Sequence, residues 1–116
     1  METNLTILVS GAPLKTYNKL VRDRIPNILK ELGKNFETQT VSGQPLQIAL
    51  EEKLIEELSE FKEDHSLDEL ADLLEVVFGL AEAHGFTQPE LEASRRKKHQ
   101  SNGGFSDGIY LLRADP

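Results

Sequence analysis

Two neighbouring stretches decide the fold, KLIEELSEF at residues 53–61 and DELADLLEVV at residues 68–77. In both, apolar residues recur every three or four positions, as they do on one face of an α-helix that turns by ~100° per residue. The first apolar stripe comprises Leu50, Leu54, Leu58 and Phe61, and the second comprises Leu67, Leu70, Leu74, Val77 and Ala81. The two stretches therefore predict two amphipathic helices.

Capping and turn residues set the bounds of this helix pair. The first helix is expected from about Pro45 to Lys62, and the second begins at Ser66, a favourable N-cap, and ends near Gly85. Only the segment KEDHS at residues 62–66 separates them. Because so short a connection reverses the chain at once, the sequence predicts an antiparallel helical hairpin.

Shorter helices are expected on either side of the hairpin. RIPNILKELG at residues 24–33 predicts a short helix with Pro26 in its first turn. Thr87 and Glu90 form a capping-box pattern that opens a fourth helix, which is expected to stop by residues 101–104.

The remaining segments are expected to be extended. They lie near residues 36–41 and 105–112. Residues 1–16 form an N-terminal extension whose LTILV stretch is either a short edge strand or disordered. The predicted architecture is mainly α, with one domain over residues 17–116.

The composition limits the class of protein. A chain of 116 residues has a thin core that would profit from oligomerisation, and a net charge of −7 argues against general nucleic-acid binding. The chain has no cysteine, no basic residue ahead of LTILV and no apolar run approaching ~20 residues. We therefore expect a cytoplasmic protein without disulfides, signal peptide or membrane span.

Acidic residues interrupt the apolar face of the first long helix. Glu57 falls inside the apolar sector, and Glu56 and Glu60 follow at its edge. One interpretation is a solvated helix face on which Lys53 pairs with Glu57 four residues later. This interpretation leaves the position of Glu57 unexplained, because an unpaired carboxylate in an apolar seam is strongly unfavourable.

The second long helix carries Glu69 and Asp72 one turn apart. A capping box with Ser66 would account for Glu69 but not for Asp72. In a hairpin, Glu57 and Glu60 lie opposite these two residues, so that four carboxylates repel one another. A divalent cation removes that repulsion, and ligation by oxygen alone suits Mg²⁺ or Mn²⁺. The residues thus favour a metal site over a solvated acidic face.

Four blocks of the sequence resemble, in order, the all-α MazG-like nucleoside triphosphate pyrophosphatases, a superfamily that includes phosphoribosyl-ATP pyrophosphatase and dimeric dUTPases. The blocks are YNKLVRDRIPNIL at 17–29, Glu56-Glu57-x-x-Glu60, Glu69-x-x-Asp72, and GGF…IYL at 103–111. Lys53, three residues ahead of Glu56, also matches. The pattern is similar to that of a small single-domain branch of predicted house-cleaning enzymes, from which Asn102 and Ser106 depart.

The resemblance implies an Mg²⁺- or Mn²⁺-dependent enzyme that hydrolyses a canonical or modified nucleoside triphosphate between its α and β phosphates. The products would be a monophosphate and pyrophosphate. The implied metal ligands are Glu57, Glu60, Glu69 and Asp72. Glu56 would hold or deprotonate the attacking water, or assist a further metal.

Basic residues are candidates for contact with the phosphates. They are Lys19, Arg22, Arg24, Lys53, Lys97 and Lys98. For Arg22 and Arg24, a surface pairing with Asp23 and nearby glutamates is an equal alternative. The run RRKK at residues 95–98 is also explained by the attraction of basic residues to a helix C-terminus.

Two other classes of function are compatible with the sequence. A non-catalytic helical module for self-association or partner binding is the main alternative, and RNA binding through RRKKH at residues 95–99 is a weaker one. All five acids of the motif are present, which favours an enzyme.

Apolar residues outside the main stripes predict a homodimer or homotetramer. On the first long helix these are Ile48 and Ile55, and on the second they are Val76 and Leu80. Pairing two hairpins into a four-helix bundle would bury them and place a nucleotide cleft close to a subunit interface.

Overall fold

The structure, a computed structural model, describes residues 13–116, so the LTILV stretch of the predicted extension lies outside it. The described chain forms four helices and no strand: α1 (Ile25–Glu31), α2 (Gly43–Asp64), α3 (Leu67–Ala83) and α4 (Gln88–Asn102). The prediction of a mainly α chain is confirmed.

The helices α2 and α3 form an antiparallel hairpin. α2 continues to Asp64 and ends at His65, whose backbone is left-handed with φ of 54°, and Ser66 then caps α3. The connection is therefore shorter than the predicted one. Near the start of α2, Gln47 Nε2 donates a hydrogen bond of 3.2 Å to the carbonyl of Ala83 at the end of α3. This bond joins the open end of the hairpin and shows that the two helices run in opposite directions.

The predicted buried face of α3 is confirmed only in part, since Ala81 is buried and Val77 is half-buried. Val76, expected outside the main stripe, is buried. Three leucines of the predicted stripe are instead exposed: Leu67, Leu70 and Leu74. The reason lies one turn beyond Val76, where a Cβ on Gly79 would lie 3.0 Å from Leu50 Cδ2 of α2. Because glycine has no side chain, α2 can approach α3 closely on this side.

The apolar residues of α2 divide between two opposite faces. Leu50 is buried against α3 and Phe61 is half-buried, as predicted. Leu58, also predicted to lie in the stripe, is about half exposed. Ile48 and Ile55 are exposed, as their positions on the helical wheel predicted.

The outer elements follow the local sequence signals. α1 has its proline in the first turn, and α4 contacts α3 and opens with a complete capping box between Thr87 and Glu90. Residues 34–42 are irregular up to the first residue of α2. The predicted extended segment near 105–112 begins with a turn, in which the Gly108 N–H donates to the Phe105 carbonyl at 3.1 Å. Within residues 13–116, every helix is too short or too polar to cross a lipid bilayer.

The chain buries little of its own apolar surface. In the described part only Leu50, Val76 and Ala81 are buried apolar residues. Eighteen large apolar side chains of the described residues are at least 36% exposed, among them Leu67, Leu70 and Leu74 of α3.

Candidate functional site

Glu57 is the acidic residue at the centre of the site. It lies on the face of α2 that packs against α3 and is only 5% exposed. Its Oε2 lies 3.3 Å from Lys53 Nζ one turn earlier, so the predicted i,i+4 ion pair forms. Its Oε1 is buried with no hydrogen-bond partner among the described residues. Because a buried carboxylate oxygen without a partner is costly, pairing with Lys53 does not fully account for this residue.

Glu69 places a second unpartnered oxygen on the facing helix. The Ser66 hydroxyl accepts a hydrogen bond of 3.2 Å from the Glu69 backbone N–H. At Thr87 and Glu90, the glutamate side chain also accepts a hydrogen bond from the N-cap backbone N–H. Among the described residues, the Glu69 side chain makes no such bond to the backbone of Ser66. Glu69 Oε2 is instead buried without a partner. A capping box therefore does not explain this carboxylate.

The five predicted acids converge between α2 and α3. One group consists of Glu56, Glu57 and Glu60, and the other consists of Glu57, Glu69 and Asp72. Within each group the potential ligand atoms all lie within 4.8 Å of one another, and Glu57 belongs to both. Hard divalent cations prefer such sets of carboxylate oxygens, so the residues present fit Mg²⁺ or Mn²⁺.

The carboxylates perturb one another's ionisation. Desolvation raises the pKa of Glu69, and the neighbouring charges of Glu60, Asp72 and Glu57 raise it further. In contrast, hydrogen bonds from Lys19 and then from Lys53, against an opposing desolvation effect, lower the pKa of Glu56. Glu69 itself therefore has no basic partner among the described residues, whereas Glu56 has two, Lys19 and Lys53.

Basic residues from the segment before α1 reach this cluster. Lys19 Nζ lies 2.6 Å from Glu56 Oε2, and Arg22 Nη2 lies 2.7 Å from Asp72 Oδ1. Lys53 Nζ also donates to Glu56 Oε1 at 3.0 Å. Arg22 therefore pairs with Asp72, an acid of the motif, and not with Asp23. The irregular segment is held against both helices of the hairpin by these contacts.

The other predicted phosphate contacts do not reach the cluster. Arg24 occupies the N-cap position of α1, and Lys97 and Lys98 are exposed on α4; none of them makes an ion pair within residues 13–116. Arg95 and Arg96 both pair with Glu92 on their own helix, at 2.7 and 3.2 Å.

Two features of the site were not predicted from the sequence. The direct contact of Lys19 and Arg22 with acids of the motif joins residues 37 and 50 positions apart. The burial of Glu57 was expected from its place in the apolar sector, whereas the burial of one oxygen of Glu69 was not, because it depends on the packing of two helices. The sequence indicated the contacts of Lys19 and Arg22 only through the clustering of basic residues in KLVRDR, which does not identify their acidic partners.

Comparisons of the chain with protein-family models, with curated proteins and with solved structures find no match.

Proposed function

We propose that this chain is an Mg²⁺-dependent nucleotide pyrophosphohydrolase, with Mn²⁺ as a substitute ion, that cleaves nucleoside triphosphates between the α and β phosphates. The main support for the proposal is the position of Glu57. This residue is buried, belongs to both groups of carboxylates, and has one carboxylate oxygen without a hydrogen-bond partner among the described residues. An unpartnered oxygen in such a cluster lacks a positive partner, and a divalent ion supplies one. Glu57, Glu60, Glu69 and Asp72 would hold the metal.

The chemistry requires neutralisation of charge and alignment more than covalent catalysis. A bound divalent ion would neutralise the phosphate oxygens and orient the phosphorus for attack. Glu56 would position the attacking water. Because its hydrogen bonds from Lys19 and Lys53 keep its pKa low, it stays ionised and accepts hydrogen bonds well, but it is a weak base. Orientation of the water is thus its favoured role over deprotonation.

The basic residues beside the acids would contact the triphosphate. Lys19, Arg22 and Lys53 lie at the cluster itself, within hydrogen-bond distance of its carboxylates. They are therefore close to any phosphate that shares a metal ion with these acids. Arg24, Lys97 and Lys98 belong to the proposal only through the resemblance of the sequence.

The test is a panel of canonical and modified nucleoside triphosphates incubated with Mg²⁺ and separated by chromatography. We expect a monophosphate and pyrophosphate in equal amounts. Diphosphate with orthophosphate would contradict cleavage between the α and β phosphates. Glu56→Gln should lose turnover while retaining more metal affinity than Glu57→Gln. Glu52→Gln, an exposed carboxylate on α2 outside the cluster, is the matched control and should behave as wild type.

A non-catalytic module for self-association is the second candidate. The exposed leucines Leu67, Leu70 and Leu74 favour association, because they form an apolar stripe on α3 that the chain leaves uncovered. An intact oligomer that releases no pyrophosphate from any nucleotide would support this candidate over the enzyme. RNA binding through residues 95–99 is less favoured, since Arg95 and Arg96 are already paired with Glu92.

The proposed enzyme is a homodimer or homotetramer in which two hairpins pair into a four-helix bundle. The thin core of residues 13–116 and the exposed leucines of α3 support this proposal. The structure changes which residues of α3 would form the contact, because Val76 is already buried within the chain. The exposed leucine stripe takes its place, with Ile48 and Ile55 available on α2.

A further inference from the structure

The acidic cluster has two ends that differ in the basic residues bound to them. The Glu56 end is the group Glu56, Glu57 and Glu60, and the Glu69 end is the group Glu57, Glu69 and Asp72, with Glu57 common to both. Acidity alone would make the two ends equivalent as sites for a divalent ion. The basic residues that contact each end show that they are not equivalent.

At the Glu56 end, each oxygen of Glu56 already contacts an ammonium group. Lys19 Nζ donates to Glu56 Oε2 at 2.6 Å, and Lys53 Nζ donates to Glu56 Oε1 at 3.0 Å. Such charge-assisted hydrogen bonds supply the positive charge that a metal ion would otherwise bring. Glu56 and Glu60 carry two negative charges and the two lysines carry two positive charges, so this end is formally neutral.

The Glu69 end, in contrast, keeps negative charge in its interior. Glu57 is only 5% exposed, and its Oε1 and the Oε2 of Glu69 are buried without a hydrogen-bond partner among the described residues. Arg22 pairs with Asp72 Oδ1 at 2.7 Å, but its side chain is 56% exposed, so this pair lies at the solvent-facing rim. Three carboxylates and one guanidinium leave two negative charges, which one divalent ion would balance.

We propose that the chain, without nucleotide, binds one divalent ion at the Glu69 end, and that Lys19 and Lys53 together take the place of a second ion at the Glu56 end. The inference rests on the proposed function and deepens its metal site. The ligands are the buried oxygens of Glu57 and Glu69 together with the Asp72 carboxylate. Glu60 is exposed and is free to turn towards the ion as a further ligand.

Lys19 is the residue that decides whether the Glu56 end accepts an ion. Lys53 divides its ammonium group between Glu56 Oε1 at 3.0 Å and Glu57 Oε2 at 3.3 Å, and it lies on the same helix as both acids. Lys19 instead comes from the irregular segment before α1, 37 positions from Glu56. Removal of its charge would leave Glu56 Oε2 without an ammonium partner and give this end a net negative charge, to which a second ion would bind.

The first experiment counts the ions bound by the full chain without nucleotide. Mn²⁺ is titrated into chelator-treated protein, and the electron paramagnetic resonance signal of free Mn²⁺ gives the number of bound ions and their dissociation constants. We expect one ion per chain. Glu69→Gln and Asp72→Asn should each weaken its binding at least ~tenfold, because each removes a charged ligand, whereas Glu56→Gln should weaken it less than ~threefold. Circular dichroism checks that the variants keep their helices.

Two results of this titration would overturn the proposal. One is a wild-type chain that binds two ions with similar dissociation constants. The other is a single ion whose binding Glu56→Gln weakens as much as Glu69→Gln does, because that ion would then lie at the Glu56 end.

The second experiment removes the charge of Lys19. Lys19→Met keeps an unbranched side chain without an ammonium group, and it should bind a second Mn²⁺ ion that the double variant with Glu56→Gln does not bind. Lys15→Met is the matched control and should bind one ion, because Lys15 is an exposed lysine of the same segment that forms no ion pair within residues 13–116. A Lys19→Met chain that still binds only one ion would contradict the assigned role of Lys19 and overturn the proposal.

The inference and the proposed function can fail separately. Two ions per wild-type chain together with release of pyrophosphate from a nucleoside triphosphate would overturn the inference and support the enzyme. One ion at the Glu69 end, with the expected response to Lys19→Met, supports the inference even if no nucleotide is hydrolysed. A chain that binds no Mn²⁺ would overturn both the inference and the metal dependence of the proposed enzyme.

Discussion

At the scale of single residues, Glu57 is the position at which the sequence pattern and the energetics of folding conflict most. The helix α2 buries the Glu57 carboxylate at a position where its apolar stripe predicts an apolar side chain. Lys53 pairs with only one of the two Glu57 oxygens. Glu69 repeats the conflict on the facing helix. Such a conflict at two facing residues is expected where function, rather than stability, selects the side chain.

The metal proposal predicts that Mg²⁺ or Mn²⁺ raises the melting temperature of the protein. An ion that binds only the folded state at ten times its dissociation constant adds about 1.4 kcal/mol, which corresponds to a shift of several degrees. Glu57→Gln and Asp72→Asn should abolish the shift, while Glu52→Gln should preserve it. Differential scanning fluorimetry with and without the ion measures the effect. An unchanged shift in both cluster variants would place the metal elsewhere.

At the scale of elements, the stability of α4 depends strongly on its own sequence. It contacts only α3 among the helices and buries no residue. Its start is fixed by the reciprocal hydrogen bonds of Thr87 and Glu90, and Glu92 holds Arg95 and Arg96 one turn later. Hydrogen bonds and ion pairs between neighbouring residues therefore stabilise α4, to which packing against other helices contributes little.

The capping box predicts a measurable cost for removing its hydroxyl. Thr87→Ala should lower the free energy of unfolding by about 1 kcal/mol, because the Glu90 backbone N–H then loses its acceptor. Thr87→Ser keeps the hydroxyl and is the matched control. Urea denaturation followed by circular dichroism measures the difference. Equal stability of the two variants would show that the cap is dispensable.

The ion pairs of Glu92 predict that α4 loosens in acid. Hydrogen bonds from Arg95 and then from Arg96 lower the pKa of Glu92 from 4.5 to about 2. Because the folded pKa is the lower one, the contribution to stability is complete above pH ~4.5 and is lost as the pH falls towards ~2. The protection of the α4 amides against hydrogen exchange, relative to the intrinsic exchange rate at each pH, should fall over this range in wild type. The loss of protection should be smaller in Glu92→Gln, and an identical pH profile in that variant would contradict the role of the ion pairs.

At the scale of the whole molecule, residues 13–116 form a thin core. Three buried apolar residues are few for this described part of the chain, while both α2 and α3 carry apolar side chains that face water. Small domains commonly compensate for such a deficit by oligomerisation. The acidic cluster lies inside one hairpin, so its geometry belongs to one chain, although its surroundings would be completed by the partner.

The proposed oligomer predicts a mass of at least twice 13.0 kDa in light scattering at micromolar concentration. Leu70→Glu should weaken association at least ~tenfold, because burial of a leucine contributes about 1.5–3 kcal/mol and a charge in its place opposes it. Glu75→Gln changes an exposed position on the same helix and is the matched control. An active species at the monomer mass would contradict the oligomer and the placement of the cleft.

The sequence by itself determined the helices, their order and the identity of the five acids. These features depend on local signals, which are the spacing of apolar residues and the N-caps at Ser66 and Thr87. The connection between α2 and α3 is also so short that the chain must reverse its direction there. Bounds were predicted to within two residues for α2, since Gly43 and Asp64 extend it only slightly beyond the expected range. Periodicity favoured the stripe that contains Leu67, Leu70 and Leu74, and so did not choose correctly between the two apolar faces of α3.

That choice was made by the tertiary structure. Gly79 admits Leu50, and the resulting close approach turns the acidic side of α3 towards α2 and leaves the leucine stripe outside. The same packing buries the free oxygens of Glu57 and Glu69 and brings Lys19 and Arg22 to the cluster. Each of these contacts joins residues distant in the chain, and their energies depend on desolvation and on the distance between helices, which no local pattern of residues specifies.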